Sequence, residues 1–329
     1  MINDKGCAKT GAKQLSRKIG RLRSLSFIIF HLSFRPKAAL FIIFHLSFSH
    51  AVAQQHFPKQ LPAGNYSGIC CIGGNRFAVV DDKADDGFYV FRLDIDSAVG
   101  RITGAENIGY MKSGKPNRDQ EGICFRPSTQ TLFISGEGDN EVYEYALDGR
   151  RTGRRLNMPA AFKKARSNQG LEALTYDTLS HLFYVTTECP LPGDTLLRLQ
   201  AFGDDLQPTL QYLYHPDKPV NSRYVTGVSA LCAMGDGRLL VLERQVYVPP
   251  RKINAQTLIS IYEVRPGEHQ GLLPKKLVSQ FRTRLTVTNR KFANYEGMCA
   301  LTPSLLLLVA DSQAQYKNVL RDWFLLLGL

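Results

Sequence analysis

A motif that recurs five times constrains the fold of this chain more than any other feature of its sequence. Each copy contains a short apolar segment, a polar turn and a second, strongly apolar segment that ends at an acidic residue. The steps between successive copies are 54, 51, 54 and 70 residues. A period of this size predicts a β-propeller, in which each four-stranded blade takes about 40–50 residues. The copies begin at Ser67, Glu121, Glu172, Thr226 and Glu296.

The five copies predict one all-β propeller domain that spans residues 54–329. Five blades are visible, and the longest step could hide a sixth. The last copy begins near the end of the sequence and is short of strands, so residues 54–66 would supply the missing strand and close the ring. Closure of this kind protects the edges of the sheets. The regular step argues against a β-sandwich or two unrelated β domains.

Residues 1–53 have the features of a leader with a signal peptide. A short basic segment, Arg35–Lys37, precedes the apolar run Ala38–Phe48, and the small residues that follow favour cleavage after Ala53. The apolar stretch is too interrupted to span a membrane. We therefore expect an exported protein, periplasmic or secreted, with no transmembrane segment after cleavage.

The leader also distorts the net charge of the chain, which is +12 overall. Nine of the 41 Lys and Arg residues, but only one of the 29 acidic residues, precede residue 54. The remaining chain is only weakly basic, which argues against a nucleic-acid partner, because such proteins present a basic face on the folded domain. We expect a monomer that takes a small anionic ester as its substrate or ligand.

The cysteines follow neither a zinc-binding nor a disulfide pattern. Three of them occupy the same place in a repeated Gly-apolar-Cys segment. This predicts a buried strand position, where a free cysteine acts as a small apolar side chain. The three are Cys70, Cys124 and Cys299, and the other cysteines after residue 54 are Cys71, Cys189 and Cys232.

Equivalent positions of a propeller repeat form rings around the central channel, so the repeat predicts two rings rich in acidic residues. The first ring comes from the opening positions of the copies, of which three are glutamates. The second comes from the ends of the second strands, where all five residues are acidic. Grouped carboxylates either share protons or hold a cation, and oxygen ligands favour Ca²⁺ or Mg²⁺. The second ring contains Asp81, Glu137, Glu188, Glu243 and Asp311.

Basic residues near these acids have two explanations. Arg118 and Lys291 lie in the loops before opening acids, and Arg244 directly follows Glu243. Cationic groups beside a metal site would suit a phosphate or carboxylate ligand. Alternatively, they neutralise the ring acids by ion pairing, and the acids could themselves terminate strands or lock the blades together.

Six short motifs carry a family resemblance through their order and spacing. They are Ser67–Ile69, Asp119–Ile123, Asn168–Leu174, Val241–Arg244, Asn294–Met298 and Ala310–Gln313. From about residue 64 onward the chain resembles the phytase-like family named for "esterase-like activity of phytase". The resemblance implies an exported β-propeller with the motif acids near the channel mouth, and hydrolysis of a phosphate or carboxylic ester. Where several members have a DRG-like step, this chain has Asp81-Asp82-Lys83.

Metal-assisted hydrolysis is the mechanism that suits these residues. No nucleophile elbow is present, and Ser229, the nearest match, lies in a predicted strand and is interpreted as structural. The alternative is a non-catalytic propeller that binds a ligand or partner and is stabilised by calcium. The candidate catalytic residues are Glu121, Glu172, Glu243 and Glu296. The candidate substrate-binding residues are Arg118, Arg244 and Lys291, and the candidate Ca²⁺ ligands are Asp81, Glu137, Glu188 and Asp311.

Overall fold

Five antiparallel sheets of four strands each make up the computed structural model of the protein. The structure describes residues 54–313, 315 and 319–329. The predicted leader, residues 1–53, and its cleavage after Ala53 lie outside the described residues. Within the described part of the chain, no helix is long and apolar enough to cross a membrane.

Four of the sheets are blades built from four consecutive strands, and the first strand of each blade is innermost, against the first strands of its neighbours. Blade 1 contains β2 (Tyr66–Cys71), β3 (Arg76–Asp81), β4 (Gly87–Asp96) and β5 (Arg101–Lys112). Blade 2 contains β6 (Gln120–Arg126), β7 (Thr131–Gly136), β8 (Glu141–Ala146) and β9 (Arg151–Arg155). Blade 3 contains β10 (Leu171–Asp177), β11 (Leu182–Thr187), β12 (Leu197–Phe202) and β13 (Pro208–Tyr214). Blade 4 contains β14 (Val225–Ala233), β15 (Leu239–Tyr247), β16 (Gln256–Val264) and β17 (Lys276–Arg284).

The fifth blade joins the two ends of the described chain. Its strands, in spatial order, are β18 (Asn294–Thr302), β19 (Leu305–Asp311), β20 (Trp323–Gly328) and β1 (Gln54–His56). Strand β1 pairs antiparallel with β20, and His56 lies opposite Trp323. The prediction of a propeller closed by the N-terminal strand is confirmed. Of the two blade numbers that the sequence left open, the structure has five, and the longest step between copies holds an enlarged fourth blade.

The hydrophobic core is divided among the blade interfaces. Each of five buried clusters combines side chains from two neighbouring blades. Apolar residues alternate along the strands because successive side chains point to opposite faces of a sheet, so each blade presents one apolar face to each neighbour. Cys70, Cys124 and Cys299 are buried on inner strands, as the sequence predicted. All six cysteines among the described residues are free.

Small residues let the inner strands converge on a very narrow channel. A Cβ atom at Gly122 of β6 would lie 2.8 Å from the backbone nitrogen of Leu174 and 2.9 Å from the carbonyl oxygen of Glu172. The cavity between the inner strands measures about 10 Å³, room for about one water molecule. A ligand of ordinary size must therefore bind at an end of the channel and cannot enter it.

We expect the substitution Gly122→Ala to lower the free energy of unfolding by about 1–3 kcal/mol, the usual cost of overpacking a tight interior. The added methyl group would press on backbone atoms of β10, which cannot rotate away. Urea unfolding of the purified protein measures the effect. Gly267→Ala is the control, because a Cβ atom there meets nothing within 4 Å. Equal stability of the two variants would contradict the close approach of the inner strands.

Candidate functional site

The pairing between the first two strands of each blade defines which residues are equivalent. In every blade the inner strand leaves regular pairing near the mouth end of the channel, forming a β-bulge, and β18 has a second irregularity near its other end. In blade 4 the bulge is at Ser229, whereas Thr226 pairs regularly with Gln245. The alignment of the fourth repeat on Thr226 was therefore wrong by three residues. The bulges contain Ser67, Glu121, Glu172, Ser229 and Glu296.

The same register corrects the second ring. Tyr66 lies opposite Asp81 and Val228 opposite Glu243 just before the bulges of blades 1 and 4. The corresponding residues in the other blades are Gly136, Thr187 and Ala310. The acids predicted from blades 2, 3 and 5 come one position later along the strand. The equivalent set is therefore Asp82, Glu137, Glu188, Arg244 and Asp311, with arginine in the place of an acid in blade 4.

These two rings meet at one end of the channel, because the inner strand starts where its antiparallel partner ends. Together with neighbouring charged residues they form a continuous electrostatic network, which we call the mouth cluster. It contains eight carboxylates and two cationic side chains. The mouth cluster consists of Asp82, Lys83, Asp119, Glu121, Glu137, Glu172, Glu188, Arg244, Glu296 and Asp311.

Arg244 is the main counter-charge within the mouth cluster. Its guanidinium group lies 2.5 Å from an oxygen of Glu296, 3.1 Å from Glu188 and 3.3 Å from Glu172. These glutamates come from blades 3 and 5, while Arg244 comes from the blade between them. The side chain is 16% exposed, so the ion pairs are shielded from water. Arg244 therefore links three blades at the mouth of the channel.

A second group of charges lies on the blade 1 and blade 2 side of the mouth. Carboxylate oxygens of Asp82, Asp119 and Glu121 all lie within 4.8 Å of one another, which is close enough to hold one metal ion. Lys83 contacts two of them, with Nζ 2.7 Å from Asp82 and 2.9 Å from Asp119. Its side chain is 63% exposed and can move into solvent. Asp82 Oδ1 is buried and has no hydrogen-bond partner.

Burial, with a smaller contribution from mutual repulsion, shifts several carboxyl groups of the mouth cluster toward the protonated form. Burial raises the pKa of Glu296 to about 8, although Arg244 lowers it, and Asp311 raises it further. Burial likewise raises the pKa of Asp311 to about 7, opposed by a backbone hydrogen bond from Gln313. The pKa values of Glu121 and Glu172 are raised well above their ordinary range, chiefly by burial. The mouth therefore exchanges protons near neutral pH.

Two predicted acids do not join the mouth cluster. Asp81 Oδ1 accepts a hydrogen bond from the backbone nitrogen of Lys83 at 3.0 Å, as in a tight turn. Glu243 accepts hydrogen bonds from the Tyr214 hydroxyl at 2.5 Å and from Lys275 Nζ at 2.6 Å. Both lie one residue before the ring position, so their side chains project from the other face of the strand. We leave both out of the candidate site.

Two predicted basic residues are also placed elsewhere. Arg118 is buried; its guanidinium group binds Asp139 at 2.6 and 3.0 Å and donates to the Ile134 carbonyl oxygen at 3.1 Å. Lys291 is exposed in the loop before β18, where its carbonyl oxygen accepts a hydrogen bond from the Gln54 side chain at 3.4 Å. Of the three predicted substrate-binding residues, the structure brings only Arg244 to the mouth.

Three members of the mouth cluster, Asp82, Lys83 and Asp119, occur in the family motifs of the sequence but were not predicted as site residues. Asp82 and Lys83 directly follow Asp81, and Asp119 precedes Glu121 by two residues. Asp82 occupies the same repeat position as Glu137 and Glu188. An alignment of the first repeat on its second acid, Asp82, instead of on Asp81 would therefore have found it. No repeat position marks Asp119, which lies in the loop that enters β6 and has a left-handed backbone with φ of 56°.

The raised pKa values predict how stability depends on pH in a buffer that contains a chelator. Because the folded-state pKa values of Glu296 and Asp311 exceed the ordinary 4.5 and 3.8, the folded protein binds protons more tightly than the unfolded chain. Stability is then greatest near pH 4 and falls as the pH rises through about 7 and 8. We expect the melting temperature to drop by at least about 5 °C over this range.

Thermal unfolding at a series of pH values measures this effect. The double substitution Glu296→Gln with Asp311→Asn should flatten the profile, because the amides do not titrate. A wild-type melting temperature that rises between pH 5 and 9, or a profile that the double substitution leaves unchanged, would contradict the assignment of raised pKa values to these two groups.

Comparisons with known proteins identify the family of this chain. The family model described as "Phytase-like: Esterase-like activity of phytase" matches residues 61–312. No curated protein sequence matches the chain. Similar solved structures include a streptogramin B lyase, which is 11% identical over 84% of this chain and 98% of that chain, with a TM-score of 0.41.

Two further solved structures are similar at the same low level. A structural-genomics protein of unknown function from Bacteroides thetaiotaomicron is 10% identical over 85% of this chain and 74% of that chain, with a TM-score of 0.42. The Cps50 (Swd1) β-propeller domain of Myceliophteria thermophila is 9% identical over 84% of this chain and 100% of that chain, with a TM-score of 0.38.

The family match spans most of the chain and includes all five inner strands with the acids that their bulges present. It ends at Ser312, directly after Asp311, the last acid of the mouth cluster. The chain therefore belongs to the phytase-like family described as "esterase-like activity of phytase".

Proposed function

We propose that the protein is a divalent-cation-dependent hydrolase of small anionic esters, phosphoric or carboxylic, that acts at the mouth cluster. The observation that supports this most strongly is the convergence of Asp82, Asp119 and Glu121, whose oxygens lie within 4.8 Å of one another. The buried, unpartnered oxygen of Asp82 is the second support, since a buried carboxylate oxygen normally has a hydrogen-bond donor or a cation.

The donor set favours a hard cation such as Ca²⁺. The three nearest side chains offer only carboxylate oxygens, which is the chemistry that Ca²⁺ and Mg²⁺ prefer. The four histidines among the described residues, His56, His181, His215 and His269, are all outside the mouth cluster. Lys83 would leave when a cation binds, because its ammonium group contacts the same carboxylates from the solvent side.

A bound cation supplies Lewis acidity toward an ester oxygen. The protein's own residues would handle binding and proton transfer. Arg244 holds Glu172, Glu188 and Glu296 in place through its ion pairs. Asp311 is partly exposed, and burial raises its pKa to about 7, which is close to the ideal value for a group that takes and returns a proton at neutral pH.

Ser229, the serine that the sequence singled out, has no support as a nucleophile. Ser229 is buried on β14, and its hydroxyl donates a hydrogen bond to the carbonyl oxygen of Tyr295 at 3.3 Å. A serine nucleophile needs a base within hydrogen-bonding reach, and no histidine is a partner of Ser229. Its position at the bulge of blade 4 supports a structural role.

A calcium-stabilised propeller that binds a ligand without turnover is the second candidate. The observation that favours it is the internal neutralisation of the mouth: Arg244 pairs with three glutamates and Lys83 with two aspartates. In this second candidate, the role of these ion pairs is to join neighbouring blades and not to position a substrate. In that case Ca²⁺ would raise the melting temperature but no ester would be hydrolysed.

We also propose that the protein acts outside the cytoplasm, in the periplasm or the medium, on the basis of the leader sequence in residues 1–53. Fractionation of cells that express the full chain, followed by N-terminal sequencing, tests this. A mature protein that begins at Gln54 in an exported fraction is the expected result, and an uncleaved protein in the cytoplasm would contradict it.

The decisive experiment is a hydrolysis screen with and without Ca²⁺ on three substrates: p-nitrophenyl phosphate, p-nitrophenyl acetate and phytate. Melting temperature is recorded in parallel, with chelator as the reference. Turnover of at least one ester that requires the cation is the expected result. If none of the three esters is hydrolysed but Ca²⁺ raises the melting temperature, the proposed hydrolase is wrong and the second candidate, a calcium-stabilised binding propeller, is supported.

A further inference from the structure

One small apolar cluster lies apart from the five large clusters, between loops of blade 4 and segments next to the strands of blade 5. Five clusters account for the five contacts between neighbouring blades, and the sixth is built around Ala255, Leu285 and Phe292. These residues lie in the loops that precede β16 and follow β17, and in the segment before β18. All three are at most 5% exposed.

This sixth cluster lines a cavity of about 180 Å³. An apolar cavity of about 150 Å³ accepts a benzene molecule, so the space here suits one aryl group or a short acyl chain. The walls are mostly apolar, which is typical of a pocket that binds the carbon skeleton of a ligand. The apolar lining residues are Val246, Val248, Ala255, Leu285, Phe292, Val319 and Leu320.

The cavity shares two residues with the surroundings of the mouth cluster. Asp311 lines the cavity and is itself a member of the cluster. Asn294 also lines the cavity, lies opposite Asp311 in the sheet, and donates a hydrogen bond to Glu296 at 2.6 Å. Its Oδ1 is buried without a partner, and the residue is 9% exposed.

We infer that the cavity binds an apolar group of the substrate, next to the ester bond held at the mouth cluster. The inference rests on the proposed function and names its substrate class: an ester with one aryl group or one acyl chain of about six carbons. A fully phosphorylated polyol has no such group and would leave the cavity unused.

The only tryptophan of the chain can report on the cavity without any turnover. The indole nitrogen of Trp323 donates a hydrogen bond to the carbonyl oxygen of Phe292 at 3.1 Å, and the side chain of Phe292 lines the cavity. A nitroaryl alcohol such as 4-nitrobenzyl alcohol, bound in the cavity, should quench the Trp323 emission with a saturable dependence on concentration. Glu121→Gln, which removes a proposed cation ligand, should leave this quenching unchanged.

The substitution Ala255→Leu fills the cavity and provides the test. In the wild-type protein we expect kcat/KM for p-nitrophenyl esters to rise about threefold per added methylene from acetate to hexanoate and to fall for decanoate. In Ala255→Leu the rise in kcat/KM with chain length should disappear while the acetate ester is still hydrolysed, and the quenching of Trp323 should no longer saturate with alcohol concentration.

Val248→Phe, at a wall residue that is 46% exposed, tests the same point if the first variant does not fold. Ala98→Leu, on the exposed turn after β4, is the control.

The outcomes separate the two claims. Saturable quenching and a chain-length preference that both vanish in the filled variants would support the inference. Hydrolysis with no chain-length preference, together with quenching that is unsaturable in every variant, would overturn the inference and leave the proposed function standing. Saturable quenching without hydrolysis of any ester would overturn the proposed function, and the substrate class falls with it.

Discussion

Replacing Arg244 with methionine should lower the free energy of unfolding by about 3–5 kcal/mol at alkaline pH, where the glutamates around it are ionised, the usual cost of leaving buried charges without their partner. Glu172, Glu188 and Glu296 would lose a guanidinium group that lies 2.5–3.3 Å from each of them. Because these glutamates can take up protons, the penalty should shrink toward pH 5. Urea unfolding at about pH 5 and about pH 8 measures both effects.

The control for this experiment is Arg150→Met. Arg150 is 75% exposed and pairs with Asp148 on the surface, where ion pairs contribute little, so its stability should match that of the wild type at both pH values. A loss for Arg244→Met that is as small as that of the control would show that the glutamates do not depend on Arg244. A loss that is equally large at both pH values would contradict their raised pKa values.

Replacing Glu121 with glutamine should lower kcat/KM for the best ester by at least about 100-fold, since even groups that only support a metal ligand cost 10–100-fold. The substitution removes one of three converging carboxylates while keeping the shape of the side chain. It also relieves the repulsion between Glu121 and its neighbours Glu172 and Glu296. We therefore expect the variant to melt at or above the wild-type temperature in chelator, and to gain less stability from added Ca²⁺.

Glu106→Gln is the matched control for Glu121→Gln. Glu106 lies on the exposed outer strand β5 and pairs with Arg92, so the same isosteric change should leave turnover and the response to Ca²⁺ as in the wild type. A Glu121→Gln variant that hydrolyses esters at the wild-type rate would exclude this carboxylate from the reaction. If the Glu121→Gln variant lost its fold as well as its activity, the loss of activity would come from unfolding and not from the missing carboxylate.

The fold followed from the sequence because the physical signal repeats. Five apolar strand pairs, each followed by turn residues, specify the same supersecondary unit, and only a ring buries both faces of every unit. The closing strand was predicted because the last copy lacked strands of its own. The sequence could not decide between five and six blades, since the step that ends at Glu296 is lengthened by the long strands and loops of blade 4.

The candidate site was only partly predictable, because one residue of register decides which face of a strand a side chain occupies. Glu121, Glu172 and Glu296 were correctly grouped, since each lies in a bulge that the Glu-Gly or Glu-Ala sequence marks. Glu243 looked equivalent to the other strand-end acids, but the pairing of Val228 with Glu243 gives the ring position to Arg244. In blade 4 the bulge contains Ser229, and no Glu-Gly or Glu-Ala sequence marks it.

The central claim is that the mouth cluster binds a divalent cation through Asp82, Asp119 and Glu121. Isothermal titration of Ca²⁺ into the wild type, Asp82→Asn and Lys83→Met tests it most directly. We predict one site in the wild type, no detectable binding for Asp82→Asn, and tighter binding for Lys83→Met, because Lys83 competes for Asp82 and Asp119. The absence of Ca²⁺ binding in the wild type, or equal affinity in all three proteins, would contradict the claim.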